Sequence, residues 1–268
     1  MKRIEIFLIL ILVSFSAVCQ NHSLSAKKSI VKNAYNFWVY TPEGYDTLQE
    51  KTPLIIFLHG ASLCGNNLDK VRRYGPLHAL DMGKRIPALI VAPQNNKGAW
   101  QPTKINEILE WTKKNYALDT NRIYAIGMSL GGYGVLEFVG TYPEKIAAAM
   151  ALCGGCNLKN LQPLGELPLW IIHGTADRDV PMSQSKKIVS ALQVKNNDKR
   201  LRYDWFKGVN HAGLSRLLYL DDTYRWLLSH SLTDEDRKVN RDIKLRKEDM
   251  KKAYYNLSRT AKKPKIIN

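Results

Sequence analysis

The sequence predicts an α/β fold, with a mostly parallel central sheet and helices on both of its faces. Two observations predict it. Short apolar runs alternate with amphipathic segments of helical period along most of the chain, the pattern of strands joined by crossover helices. The runs are also continuous rather than alternating, as in Leu54-Ile-Ile-Phe-Leu58 and Pro87-Ala-Leu-Ile-Val-Ala-Pro93, which suits strands buried on both faces. At 268 residues the chain is long enough for one sizeable core, and one main domain is the expectation.

Three spans divide the chain. Residues 1–19 read as a signal peptide: Lys2 and Arg3 precede the apolar run Ile6 to Val13, then small and polar residues follow. The run is too short for a membrane span of about 20 residues. An exported, soluble protein cleaved before Gln20 is expected, with a lipoprotein anchored at Cys19 as the alternative. Residues 20–230 form the main domain. Ile30 to Thr41 suggests an edge strand, Leu54 to Leu58 and Pro87 to Pro93 buried strands, and Asn66 to Gly83 a loop then a helix. Thr103 to Tyr116 carries Ile105, Ile108, Leu109 and Thr112 on one face, a helix. Further strands fall at Ile123–Ile126, Lys145–Leu152, Leu167–Ile172 and Leu201–Phe206. A helix follows the Ile123 strand, another spans Met182–Val194, and Ser215–Leu228 closes the domain. Residues 231–268 form a basic tail, expected to be part helix and part disordered. In it Ile243, Leu245, Met250, Tyr254 and Leu257 are placed to line one side of a docked helix.

The formal net charge is +16, and the tail holds twelve Lys/Arg against six Asp/Glu. Mixed signs and expected export argue against nucleic acid as a partner. No Gly-rich phosphate loop and no His/Asp/Glu cluster of ligand spacing occurs, so neither nucleotide nor metal nor other cofactor is expected. Cys64, Cys153 and Cys156 remain after the leader; export permits a bridge between two of them.

The chemistry gathers at strand ends, where sheets of this kind present their ligand-binding loops. Gly127-Met-Ser129-Leu-Gly131 reads G-x-S-x-G between an apolar strand and a helix. Glycines there let strand and helix approach while the serine stands on a strained turn. Asp177 follows the strand ending at Ile172, and His211 follows the strand ending at Phe206. A serine hydroxyl needs a base to take its proton, and imidazole titrates near neutrality. A carboxylate then orients the imidazole and offsets its charge. Ser129, Asp177 and His211 stand in the chain order this chemistry takes on such a sheet. The N–H groups of Ala61 and Leu130 are the expected oxyanion donors. Trp100 and Tyr133 are weaker candidates for a substrate pocket. Asp179 is the rival acid. His59 and His173, each before a glycine at a strand end, are expected to hydrogen-bond loop backbone.

Phe57-Leu-His-Gly60, Ala92-Pro-Gln94 with Trp100, the Ser129 motif, His173-Gly-Thr-Ala-Asp177 with Val180-Pro181, and Gly208-Val-Asn-His211 together resemble a secreted bacterial α/β-hydrolase of the esterase group. That group includes carboxylesterase/phospholipase-like, dienelactone-hydrolase-like and feruloyl-esterase-like enzymes, and the resemblance covers about Thr41 to Leu228. It implies the α/β-hydrolase fold and a serine carboxylesterase acting through an acyl-enzyme, with acyl or feruloyl esters of polysaccharide as possible substrates. It implies the first aspartate, Asp177, as the acid. Asn210 departs from the glycine often found before the histidine. Two other functions fit the fold: a serine peptidase, and a non-catalytic carbohydrate-binding module.

Overall fold

The structure, a computed structural model, describes residues 22–45, 50–255, 257 and 263–267. The expected leader, with Cys19, lies outside them. The strands are β1 (Ser23–Lys27), β2 (Asn36–Thr41), β3 (Thr52–Leu58), β4 (Leu89–Gln94), β5 (Leu118–Met128), β6 (Ala148–Leu152), β7 (Leu169–Gly174), β8 (Leu201–Phe206) and β9 (Lys265–Ile267). They form one sheet in the order β8-β7-β6-β5-β3-β4-β2-β1-β9. From β8 to β4 all pairs are parallel. β2 runs antiparallel to β4 and β1 antiparallel to β2, while β9 is parallel to β1.

The continuous apolar runs are the buried centre of this sheet. Every residue of β3, β4, β6 and β7 is buried. Successive side chains point to opposite faces, so Ile55, Phe57, Tyr124, Ile126, Trp170 and Ile172 serve one core layer. Leu54, Ile56, Ile123, Ala125 and Ile171 serve the other. The second layer is covered by α2 (Pro102–Asn115), α3 (Leu130–Thr141) and α4 (Ser183–Val194), through residues such as Ile105, Val135 and Ile188. The first is covered by α1 (Pro76–Asp81) and α6 (Asp221–Leu228), through Leu77 and Trp226. Between β8 and α6 stand a four-residue helix, α5 (His211–Leu214), and a 3-10 turn, Ser215–Tyr219. The single closing helix expected over Ser215–Leu228 is therefore two pieces, broken where Leu220 is extended.

β2 is not an edge strand. β1 lies beside it, hidden from a periodicity reading because its five residues carry only one fully buried side chain, Leu24. No helix among the described residues is long and apolar enough to cross a membrane. Cys64, Cys153 and Cys156 are all free thiols.

The segment after Ser231 is stitched to the domain. Val239, Leu245, Met250 and Ala253 are buried in the first core layer. Arg237 donates to the carbonyls of Glu166, Ile146 and Ala147. The Trp226 indole N–H and Arg202 both donate to Asn240 O. Arg241 donates to Leu201 O, so part of the tail's basic charge serves as cross-links to the domain backbone. Its regular helix is short, α7 (Lys247–Lys251). Ile243 and Leu245 approach the core from irregular chain ahead of α7 rather than as one helix face.

Candidate functional site

Ser129 sits between β5 and α3 with φ 59° and ψ −124°, a backbone conformation that costs a non-glycine residue about 1–3 kcal/mol. Packing imposes it. A Cβ on Gly131 would fall on the Leu58 carbonyl, so β3, β5 and α3 meet here without side chains between them. The Ser129 N–H donates to Leu152 O at 2.9 Å, tying the turn to β6. Ala61 and Leu130 are each the first residue of a helical turn, where backbone N–H groups lack an intrahelical acceptor.

The loop after β7 brings Asp177 to His211. Asp177 Oδ2 accepts from His211 Nδ1 at 2.7 Å, and the carboxylate side chain has no exposed surface. Oδ1 accepts from the N–H groups of Asp179 and Val180, both at 2.9 Å. Burial alone raises the carboxyl pKa. The Val180 N–H, His211 and the Asp179 N–H outweigh it, and the carboxyl sits below its ordinary range. Asp179 contributes its backbone to this cradle, and its residue is exposed. His211 opens α5, and Asn210 caps that turn by accepting from Gly213 N at 2.9 Å.

Two other histidines stand behind this pair. His173 Nε2 lies 3.0 Å from Val180 O and 3.3 Å from Asp177 Oδ2. Its Nδ1 lies 2.8 Å from Ser185 Oγ, and the Ser185 hydroxyl donates to Gly154 O. His173 thus touches the acid as well as the backbone. His59 hydrogen-bonds backbone only: Nδ1 meets Gly60 O at 2.7 Å and Nε2 accepts from Asn95 N at 3.1 Å. Burial pushes its imidazole down to about 4.

A cavity of about 550 Å³ joins these pieces, with Ser129, His211, Ala61, Tyr74, Val180 and Ser215 in its wall. Trp100 and Tyr133 are not among its lining residues. Trp100 is 2 % exposed, donates to His59 O and packs edge-on against Tyr35 and His59. Tyr133 packs against Gly155 after β6. Trp100 thus supports the site's wall from behind, and Tyr133 stands half-buried outside the cavity.

Two site residues escaped the sequence reading. Tyr74 Oη accepts from Gly60 N at 2.5 Å. A Cβ on Gly60 would lie 2.8 Å from Tyr74 Oη and 3.3 Å from Ser129 Cβ, so the phenol faces the serine across the gap that glycine leaves. Burial pushes that phenol up to about 12, which keeps it a hydroxyl. Cys153 is the second. It is fully buried at φ 41°, and its Sγ and ligand atoms of Asp177 and His211 lie within 4.8 Å of one another. Burial holds its thiol far above the ordinary range, so it meets the pair as a neutral group. Tyr74 belongs to no local motif, and the C-x-x-C spacing of Cys153 and Cys156 does not point to this contact.

Comparison with known proteins gives a consistent picture. The prolyl oligopeptidase family matches residues 156–234, a stretch that holds Asp177 and His211 but not Ser129. A bifunctional acetylxylan esterase/xylanase from Neocallimastix patriciarum is 30% identical over 151 residues, covering 52% of this chain and 21% of that protein. The chain therefore spans about a fifth of that relative's length. Among solved structures, a thermostable esterase superposes with a TM-score of 0.62 at 23% identity, over 73% of this chain and 59% of that one. The feruloyl esterase module from Clostridium thermocellum, complexed with sinapinate, gives 0.56 at 15% identity over 75% and 87%. An acetyl xylan esterase from Aspergillus awamori gives 0.56 at 14% identity over 70% and 94%. By its sheet and these likenesses, the chain has the fold of the α/β-hydrolases.

Proposed function

We propose that the protein hydrolyses carboxylic esters through an acyl-enzyme on Ser129. The observation that carries this reading is the buried Asp177–His211 pair facing the same cavity as a serine held on a strained turn. Ser129 Oγ adds to the ester carbonyl carbon while His211 Nε2 takes its proton. Asp177 holds Nδ1–H and offsets the imidazolium charge. The N–H groups of Ala61 and Leu130 receive the oxyanion. As the tetrahedral intermediate collapses, the carbon–alkoxide bond breaks and His211 returns the proton to the leaving alcohol. Water then adds to the acyl-enzyme with His211 again as base, releasing the acid and restoring Ser129.

The similar proteins include feruloyl and acetylxylan esterases, which supports acetyl or feruloyl groups on plant polysaccharide as the acyl class. Turnover of p-nitrophenyl acetate and of methyl ferulate, measured for wild type and Ser129→Ala, tests it. A loss of at least ~10⁴-fold in the variant is expected; equal rates would remove the proposal. The prolyl oligopeptidase match favours peptide bonds as a second reading. Cleavage of a prolyl p-nitroanilide faster than any ester would put it first.

A further inference from the structure

We propose that the C-terminal segment builds a subsite beside the ester for a carboxylate-bearing sugar, an inference that rests on the esterase reading above. The cavity that holds Ser129 and His211 adjoins a second one of about 580 Å³, with Ala212 and Ser215 in the wall of both. One wall of the second cavity comes from the turn after His211, through Arg216. The other comes from α7 and the residues after it, through Lys247, Lys251 and Tyr254. The turn after His211 thus stands between the catalytic cavity and the tail and walls both.

The charge of the second cavity is one-sided. Three cations line it, and no carboxylate does; Asp179 lines the catalytic cavity instead. The acids of α7 stand elsewhere: neither Glu248 nor Asp249 lines the cavity, and Asp249 is committed to the Arg246 N–H at the helix start. Lys247 Nζ is steadied at the rim by donating to Lys207 O at 3.1 Å. An anionic group entering here would meet an ammonium or guanidinium from either wall, the partners that carboxylates favour.

Tyr254 adds the second element of recognition. Its ring lies 4.8 Å from that of Tyr219 in an edge contact, with the Arg216 guanidinium 6.0 Å from its centroid, and 39 % of it remains exposed. A held, half-exposed phenol offers an apolar face and a polar tip at low entropic cost, which suits the flat face of a pyranose ring. Cations and a ring together describe a uronic acid, and the shared residues Ala212 and Ser215 place it next to the scissile ester.

The test compares an acetylated xylo-oligosaccharide bearing one glucuronic acid with the neutral oligosaccharide of equal length. Wild type is expected to show a lower KM for the acidic substrate. In Lys247→Glu/Lys251→Glu the ratio of the two kcat/KM values should fall about tenfold at low salt. It should also fall in wild type near 1 M salt, where the screening length is about 3 Å. Lys238→Glu/Lys252→Glu makes the same charge change on the same segment outside the cavity, and the ratio should hold there. No preference in wild type, or equal loss in both double variants, would overturn the subsite. Calorimetric binding of the unesterified acidic oligosaccharide to Ser129→Ala protein reads the subsite without turnover. Binding that weakens in Lys247→Glu/Lys251→Glu supports it even if no ester is cleaved, whereas no binding, or tighter binding of a short oligonucleotide, rejects it.

Discussion

The nucleophile turn and the acid loop hold their side chains by opposite means. Ser129 is held by what is missing: Gly131 lets α3 rest on the Leu58 carbonyl, and the backbone alone sets where the hydroxyl points. Asp177 is held by what is present: two N–H groups on Oδ1 and two imidazoles on Oδ2. A steric device fails when an atom is added and takes the fold with it. A hydrogen-bonded device fails when a polar partner is lost, and it takes mainly the rate.

The contrast can be broken most directly at Gly131. Gly131→Ala drives a methyl into backbone that cannot move away, so a loss of at least ~3 kcal/mol in urea unfolding is expected. Gly98→Ala has open space around it and φ 74°, and should cost only about 1 kcal/mol. Equal costs at the two sites would contradict the steric account. On the acid side, Asp177→Asn should lower kcat about 10⁴-fold while moving Tm little. A Tm drop as large as that of Gly131→Ala would erase the distinction between the two devices.

Acid acts on the two sides with the same sign but in different pH windows. His59, under the nucleophile turn, has its folded pKa lowered from the usual 6.5 to about 4 by burial. Its unfolded form takes up protons first, so stability falls as pH drops through the window from 6.5 to 4. About 2 kcal/mol should be gone by pH 5. His173 and His230 shift the same way and add to the trend. Asp177 has its folded pKa lowered too, but for a carboxylate that contribution is intact above the ordinary value near 4. It is lost only as pH falls further. A flat unfolding free energy from pH 7 to 5 would refute a neutral buried His59.

Smaller effects sharpen the acid loop. Replacing His173 with Asn removes a donor to Asp177 and Val180. The lost hydrogen bond to a charged acceptor should lower kcat about tenfold with KM little changed; a change confined to KM would assign His173 to binding instead. Asp179→Asn keeps the backbone N–H that Asp177 uses and should alter kcat less than about threefold. A loss rivalling Asp177→Asn would make Asp179 the acid.

Legibility followed the range of the interactions. The buried strands were readable because each apolar run is local and continuous. Ser129, Asp177 and His211 were readable because each sits one short loop beyond such a run, in the order the sheet requires. β1 was not, since its pairing partners, not its composition, make it a strand. Trp100 looked like a pocket residue because a tryptophan in a polar loop is ambiguous until Tyr35 and His59 close around it. Tyr74 and Cys153 reach the site only through contacts between elements distant in sequence.

By itself, the sequence determined the core strands and which residues stand at their ends, because burial pattern and turn sterics are properties of neighbouring residues. Only the tertiary structure decided what the basic segment after Ser231 does. Arg237 and Arg241 spend their charge on the carbonyls of Ile146, Ala147, Glu166 and Leu201. The segment's lysines line a cavity beside the one that holds Ser129. Those partners lie scores of residues away, and no local pattern encodes a contact that depends on how the whole sheet is assembled.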